Sequence, residues 1–255
     1  MSLLIDADYI VYKCCAANES EIDWGDDVIT VTSRFSDAYE MVERELYKIA
    51  NDLGCFDDSI LFFTDSSNFR KLIDPAYKGH RTRKKPCGYR RVINKLKEEY
   101  QVVVMPSLEA DDAIGIYATK ERGHIICSPD KDMRQIPGAL YDLSDGVVTI
   151  TPEEGRRWHL IQTLAGDQTD GYSGVPGFGI KRAVAFFEEH GYTWESVATA
   201  FAEKDLDESV ALANARLAKI LQHTDYDFTN QTVILWTPTA SDRADDRAAV
   251  QDATD

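Results

Sequence analysis

The sequence predicts an α/β protein: a mostly parallel sheet flanked by helices, followed by a helical region. Three observations carry that reading. Short apolar runs alternate with helical patterns over the first 150 residues, the texture of strands joined by crossover helices. After Thr151 only helical spacing remains, broken by Gly-rich or acidic turns. The composition, 44% hydrophobic and 28% charged over 255 residues, is that of a folded chain long enough to bury a core without disulfides.

Leu3–Asp6, Val28–Thr32, Ser59–Thr64, Gln101–Met105, His124–Cys127, Ala139–Leu143 and Val147–Thr151 read as strands. Between them, Ser36–Leu53 places Ala38, Val42, Leu46 and Ile49 at helical spacing and ends before Gly54, a helix stop. Gly88–Tyr100 and Ala110–Lys120 are the other helices expected in this half. Beyond it, Pro152–Ala165, Ile180–His190, Thr193–Phe201 and Asp207–Gln222 read as helices, the first with Thr151 as cap and Pro152 at the first helical position. The expected organisation is a core over 1–151, a helical region over 152–236, and a disordered acidic tail over 237–255, where periodicity is lost.

No apolar run approaches 18 residues, and Asp6 interrupts the first apolar stretch too early for a signal peptide. The five cysteines are scattered without CxxC spacing, as expected of reduced thiols. A cytoplasmic chain with no membrane partner is the expectation, with a monomer as the default.

The net charge is −16, which argues against a polyanionic partner until its distribution is considered. Residues 70–97 carry eleven Lys/Arg against one acid, Asp74, a local +10 that leaves −26 on the remainder. Such an island, with Lys84 and Lys85 at its centre, is either an electrostatic landing site for nucleic acid or a solvated face that balances the acidic surface.

The acids follow the strands. Asp6 ends the first, Asp65 follows ILFFT, Glu109 lies beyond QVVVM, and Asp130 beyond HIIC. In an open parallel sheet the ligand crevice lies at the carboxyl ends of the strands, so four strands deliver an acid to one edge. EADD adds Asp111 and Asp112, PDKD adds Asp132, and GDQTDG contributes Asp167 and Asp170. On an ideal helix Glu109 and Asp112 lie about 60° apart but Glu109 and Asp111 about 160° apart, so all three converge only if Glu109 sits at the helix mouth. Crowded carboxylates cannot all stay ionised unaided. Oxygen-only ligands favour Mg²⁺ or Mn²⁺ over Zn²⁺, and nine acids suit two ions, the arrangement for in-line phosphodiester displacement. Taken one at a time, each Asp is also an ordinary turn or cap residue.

Gly174, Gly177 and Gly179 form a tight turn directly before a helix that opens with Lys181 and Arg182. Glycines permit close approach of a ligand, and free N–H groups at a helix start bind phosphate. The two cations oppose the helix dipole, which an anion at that end would offset. The five His have no metal-ligand spacing, the four Trp read as packing residues, and no Ser sits in a nucleophile elbow.

Taken in order, LLIDAD, FFTDSSNFRKL, PAYKGHR, EADD, SPDKD and GDQTDGYSGVPGFGIKRA resemble the 5′-nuclease family of flap endonucleases, polymerase-linked 5′-nucleases and phage 5′→3′ exonucleases, the small phage enzymes most of all. The resemblance covers about residues 3 to 190. It implies a PIN-like core with a C-terminal helix–three-turn–helix module that holds duplex backbone, with K⁺ bound at its turn. It implies Asp6, Asp65, Glu109, Asp111 and Asp112 around one ion, and Asp130, Asp132, Asp167 and Asp170 around a second. By the same resemblance Lys78 and Arg81 contact the scissile phosphate, Arg70 lies nearby, and Tyr77 stacks on a terminal base. The implied activity is metal-dependent 5′→3′ exonucleolysis of duplex DNA ends, and of RNA in RNA·DNA hybrids. A flap endonuclease and a non-catalytic helix–hairpin–helix binding module are the alternatives. Only 27 residues separate Arg81 from Glu109, with Pro86 and Gly88 among them, too few for a long closed arch and in favour of end-trimming.

Overall fold

Leu3, Leu4 and Ile5 are fully buried, as expected of a central strand covered on both faces. In the computed structural model, which describes residues 2–55, 58–82, 84–121, 123–144 and 146–243, Leu3–Asp6 occupies the middle of a six-stranded sheet. The strand order is Gln101–Val103, Ser59–Phe62, Leu3–Asp6, Ile125–Cys127, Gly138–Tyr141 and Val147–Ile150. The first five run parallel, with Ile5 opposite Leu61 on one side and Cys127 on the other. The mostly parallel α/β core expected from the sequence is present.

The helix Ala7–Ala17 follows the first strand without a loop. Asp6 is its N-cap, with Oδ1 accepting the Tyr9 N–H at 3.4 Å. Sequence pattern does not separate this helix from the strand, because one apolar run continues through both. Phe35–Leu53 ends at Gly54, whose φ of 63° closes the helix in the left-handed region. With Tyr89–Glu99 and Ala110–Lys120 these helices flank the sheet, and Val42, Leu46, Val92 and Leu96 enter the core beside Leu3 and Leu61. One expected strand lies elsewhere. Ile29–Ser33 pairs antiparallel with Glu19–Asp23 in a separate two-stranded hairpin, where β-branched residues find a partner only across the turn.

The chain divides into two compact units, and the division differs from a cut at residue 151. The first unit comprises 1–67, 82–133 and 138–149; the second comprises 68–81, 134–137 and 150–255. Specific bonds account for the exchange. Arg70 donates to the carbonyls of Leu217 and Lys219 at 3.0 and 2.6 Å, and Gln135 donates to Gln162 and Ala218 and accepts from Ile220 N.

The second unit is built from Pro152–Ala165, Ile180–His190, Trp194–Ala202 and Glu208–Ala218. Thr151 and Glu154 form a reciprocal capping box, with Pro152 at the helix start, and Thr193 and Asp207 cap two of the following helices. Leu160, Leu164, Phe187, Trp194 and Phe201 make its core. Trp236 packs edge-on against Trp194 and His159, whereas Trp24 is 68% exposed and is no packing residue.

Within the expected disordered tail, residues 237–243 are described and carry structure. Ala240–Arg243 forms a helical turn in which Asp242 is buried and accepts from Thr239, and Arg243 pairs with Glu195 at 2.6 Å. The rest of that expectation, 244–255, lies outside the described residues, as does Arg83 of the basic island. All five cysteines are free thiols, and no described helix is long and apolar enough to cross a membrane.

Candidate metal centre and basic groups

The carboxyl ends of the parallel strands share one edge of the first unit, and Asp6, Asp65, Glu109 and Asp130 end or follow four of them. Glu109 is the N-cap of Ala110–Lys120, with φ −80° and ψ 162°. The helix-mouth position required for convergence is therefore met: one carboxylate oxygen each from Glu109, Asp111 and Asp112 lies within 4.8 Å of the others. Asp112 is fully buried and also accepts the Glu109 N–H at 3.4 Å, so cap and candidate ligand coincide.

Asp6 and Asp65 stand outside that tight group among the described residues. Asp6 accepts from Ser128 Oγ at 3.0 Å. Burial, reinforced by the neighbouring Asp8 and by Asp130, pushes its carboxyl up to about 6. Asp65 is the opposite case. It accepts the Ser107 N–H at 2.8 Å and Ser67 Oγ at 2.7 Å, and these bonds hold it down at about 2. Its own N–H donates to Leu108 O at 3.0 Å, which ties the strand end to the loop before Glu109. Asp130 is exposed and accepts the Asp132 N–H at 2.9 Å.

Asp167 and Asp170 belong to the second unit. Asp167 Oδ1 accepts the N–H groups of Thr169 and Asp170, folding GDQTDG into a compact turn. Asp170 is surrounded by donors from PAYKGHR: Tyr77 Oη at 2.8 Å, Lys78 Nζ at 3.4 Å and Arg81 Nη2 at 2.7 Å. The Lys78 N–H also donates to Asp170 O at 2.8 Å, from a backbone φ of 54°, a conformation that costs a non-glycine residue about 1 kcal/mol. Gly79 is required next to it, since a Cβ there would lie 2.9 Å from Ala76 O. The acid and the cations that the sequence assigns to different partners thus engage one another.

Three expected nucleic-acid or phosphate contacts are corrected. Arg70 is 1% exposed, and its guanidinium is committed to the two backbone carbonyls already named, so it braces the second unit. Tyr77 is also 1% exposed, packs with Tyr172, Leu217 and Ala218, and donates its hydroxyl to Asp170; its ring cannot stack on a base. Gly174 is buried, its N–H donates to Asn214 Oδ1 at 3.0 Å, and a Cβ would lie 2.4 Å from Gly166 N. Its glycine serves close packing of the turn. The motif alone does not separate these buried groups from the exposed ones beside them.

Gly177, with φ 81°, and Gly179, the N-cap of Ile180–His190, are exposed. Lys181 is exposed there too, and Arg182 lies 4.6 Å over the Phe178 ring while donating to Gly177 O. In the first unit Lys84 and Lys85 are exposed, the latter 4.6 Å over the Tyr89 ring.

The chain matches the model of the 5′-3′ exonuclease N-terminal resolvase-like domain over residues 1–154. It belongs to this family. The chain is 29% identical to the exodeoxyribonuclease of Enterobacteria phage T3, over 92% of each chain. Its fold is similar to that of the T5 5′-exonuclease with bound divalent zinc ions, with a TM-score of 0.62 and 15% identity over 85% of this chain and 88% of that one. It is also similar to the catalytic core of Rad2 in complex with DNA substrate, with a TM-score of 0.56 and 12% identity over 93% and 83%.

Proposed function

We propose that this family member is a divalent-metal-dependent 5′→3′ exonuclease acting on 5′ ends of duplex DNA. The convergence of Glu109, Asp111 and Asp112 at the carboxyl edge of the sheet carries the reading. The donor set fits the cation: it is all oxygen, as a hard divalent cation prefers. When bound, two such ions lower the pKa of an attacking water and stabilise the leaving 3′-oxygen.

Asp6, Asp65, Glu109, Asp111 and Asp112 are assigned to the first ion, Mg²⁺ or Mn²⁺. Asp130, Asp132, Asp167 and Asp170 are assigned to the second from the order of the motifs. Lys78 and Arg81 neutralise charge on the reacting phosphate. Gly177, Gly179, Lys181 and Arg182 hold duplex backbone, with K⁺ at that turn, and Lys84 and Lys85 supply further cations. RNA in RNA·DNA hybrids is a second substrate, and the protein acts in the cytoplasm as a monomer. The span from Arg81 to Glu109 favours end-trimming over threading. Its helix Tyr89–Glu99 buries Val92 and Leu96 in the first unit's core, and Gln101–Val103 is a sheet strand.

The test is incubation of labelled blunt and 5′-flap duplexes with Mg²⁺ or Mn²⁺, with chelator as control. Stepwise release of nucleotides from the blunt 5′ end is expected, abolished by chelation. Cleavage confined to flap junctions would select the endonuclease, and chelator-resistant cleavage would remove the metal.

A further inference from the structure

Asp8 is not among the metal ligands assigned above, yet its carboxylate is fully engaged at the same edge of the sheet. Oδ2 accepts the Thr64 N–H at 2.8 Å, and Thr64 is the residue before Asp65. Oδ1 accepts the hydroxyl of Tyr89 at 2.5 Å. Tyr89 is 6% exposed and is the first residue of the helix Tyr89–Glu99. That helix opens with Arg90 and Arg91 after Gly88, without a side-chain cap, so its first turn places two cations against the positive end of the dipole. On the other side of the phenol, Lys85 Nζ lies 3.5 Å from the Tyr89 hydroxyl and 4.6 Å from its ring centroid. Arg91 lies 4.3 Å over Phe35. The part-buried, charge-assisted bond from Tyr89 to Asp8 ties this basic start to the carboxylate-bearing edge.

We propose that Asp8 and Tyr89 are positioning residues that fix Lys85 and the basic first turn of Tyr89–Glu99 beside the metal-binding edge, so that these cations meet the phosphates of the substrate strand. Neither residue touches substrate. Asp8 holds the strand end with one oxygen and the basic segment with the other, and Tyr89 transmits that position to Lys85 through its hydroxyl and ring. The inference rests on the nuclease reading for the identity of the polyanion, but its geometry lies within the first unit alone.

Tyr89→Phe keeps the ring and removes only the hydroxyl. Duplex affinity is measured by fluorescence anisotropy in Ca²⁺ at three salt concentrations, and kcat and KM in Mg²⁺, for the wild type, Tyr89→Phe, Lys85→Ala and the double variant. Tyr89→Phe is expected to weaken affinity and raise KM about tenfold, with kcat within about twofold and the melting curve intact. That fold-change is the size typical of one lost hydrogen bond to a charged group. In the Lys85→Ala background the same change should cost less than in the wild type, because the part of its effect that passes through Lys85 is already lost. Asp8→Asn, which keeps one of the two acceptor oxygens, should recover part of the affinity lost in Asp8→Ala. An unchanged affinity and KM in a folded Tyr89→Phe protein, or strict additivity with Lys85→Ala, would overturn the proposal. A wild type that binds duplex but never cleaves would instead refute the nuclease reading, and the anisotropy series would still decide the role of Tyr89.

Discussion

His159 lies in the core of the second unit, 4% exposed, with a ring nitrogen 2.8 Å from Ala215 O and the Trp236 ring packed edge-on against it. Burial, and next the nearby Lys219 charge, push its pKa down from 6.5 to about 3; the bond to the Ala215 backbone and then Asp242 oppose this. The folded state therefore refuses a proton that the unfolded chain accepts below about pH 6.5. Between that value and about 3, unfolding takes up a proton, so stability is fully present above the unfolded pKa and is lost as pH falls. Each pH unit is worth about 1.4 kcal/mol, which predicts a loss of about 2 kcal/mol from this residue between about pH 6.5 and about pH 5. The assay is urea denaturation at several pH values for the wild type and His159→Gln, whose amide can still donate to Ala215 O. Carboxylates titrate alike in both proteins, so the difference between the profiles isolates the imidazole. The wild type should lose about 2 kcal/mol relative to the variant on going from about pH 7 to about pH 5. Parallel profiles over that interval would refute the argument that His159 is held neutral by burial.

Three further outcomes follow from the site. The wild-type melting temperature should rise with Mn²⁺ concentration, and the rise should vanish in Glu109→Gln with Asp111→Asn, since only the folded state holds the clustered donors; a wild type indifferent to Mn²⁺ would count against the centre. Asp130→Ala should abolish cleavage while duplex affinity in Ca²⁺, read by anisotropy, stays within about twofold, and near-normal turnover in Mg²⁺ would remove the second ion. Lys181→Ala with Arg182→Ala should mainly raise KM and lower the slope of log affinity against log salt by about 2, one counterion per lost cation, whereas Lys78→Ala should mainly lower kcat, by about 10²-fold; steady-state kinetics on one blunt duplex at several salt concentrations separates the two.

The acids and the sheet are legible in the sequence for one reason: in a parallel sheet, the residue after each apolar run must arrive at the same edge. Asp6 and Asp130 follow that rule directly, and Glu109 follows it because a β-region N-cap turns its side chain toward Asp111. What the sequence hides is burial among polar and aromatic side chains. Arg70 lies within eleven residues of Lys78 and Arg81 in the same basic stretch, and nothing in NFRKL shows that Leu217 and Lys219 supply its acceptors from 147 and 149 residues away. Tyr77 is concealed in the same way, because its partners Asp170 and Leu217 are also remote in sequence. Long-range contacts that satisfy a polar group leave no periodic trace, whereas strand and helix periods do.

The arrangement at Asp170 changes what a mutation there can prove. Its carboxylate accepts from Tyr77 and pairs with both Lys78 and Arg81, so it neutralises one of two positive charges while fixing the position of both. Replacing it by Ala would remove an assigned metal ligand and, in the same step, leave a buried phenol and two cations without the acceptor that orders them. Loss of turnover in such a variant would therefore have two sufficient causes. Asp130 carries a lighter second duty: it is exposed, and its side chain accepts the Asp132 N–H within its own turn. The ion assignment is best decided at Asp130, and the placement of Lys78 and Arg81 at Asp170, where an Asn keeps the acceptor for Tyr77 but gives up the charge that draws the two cations together.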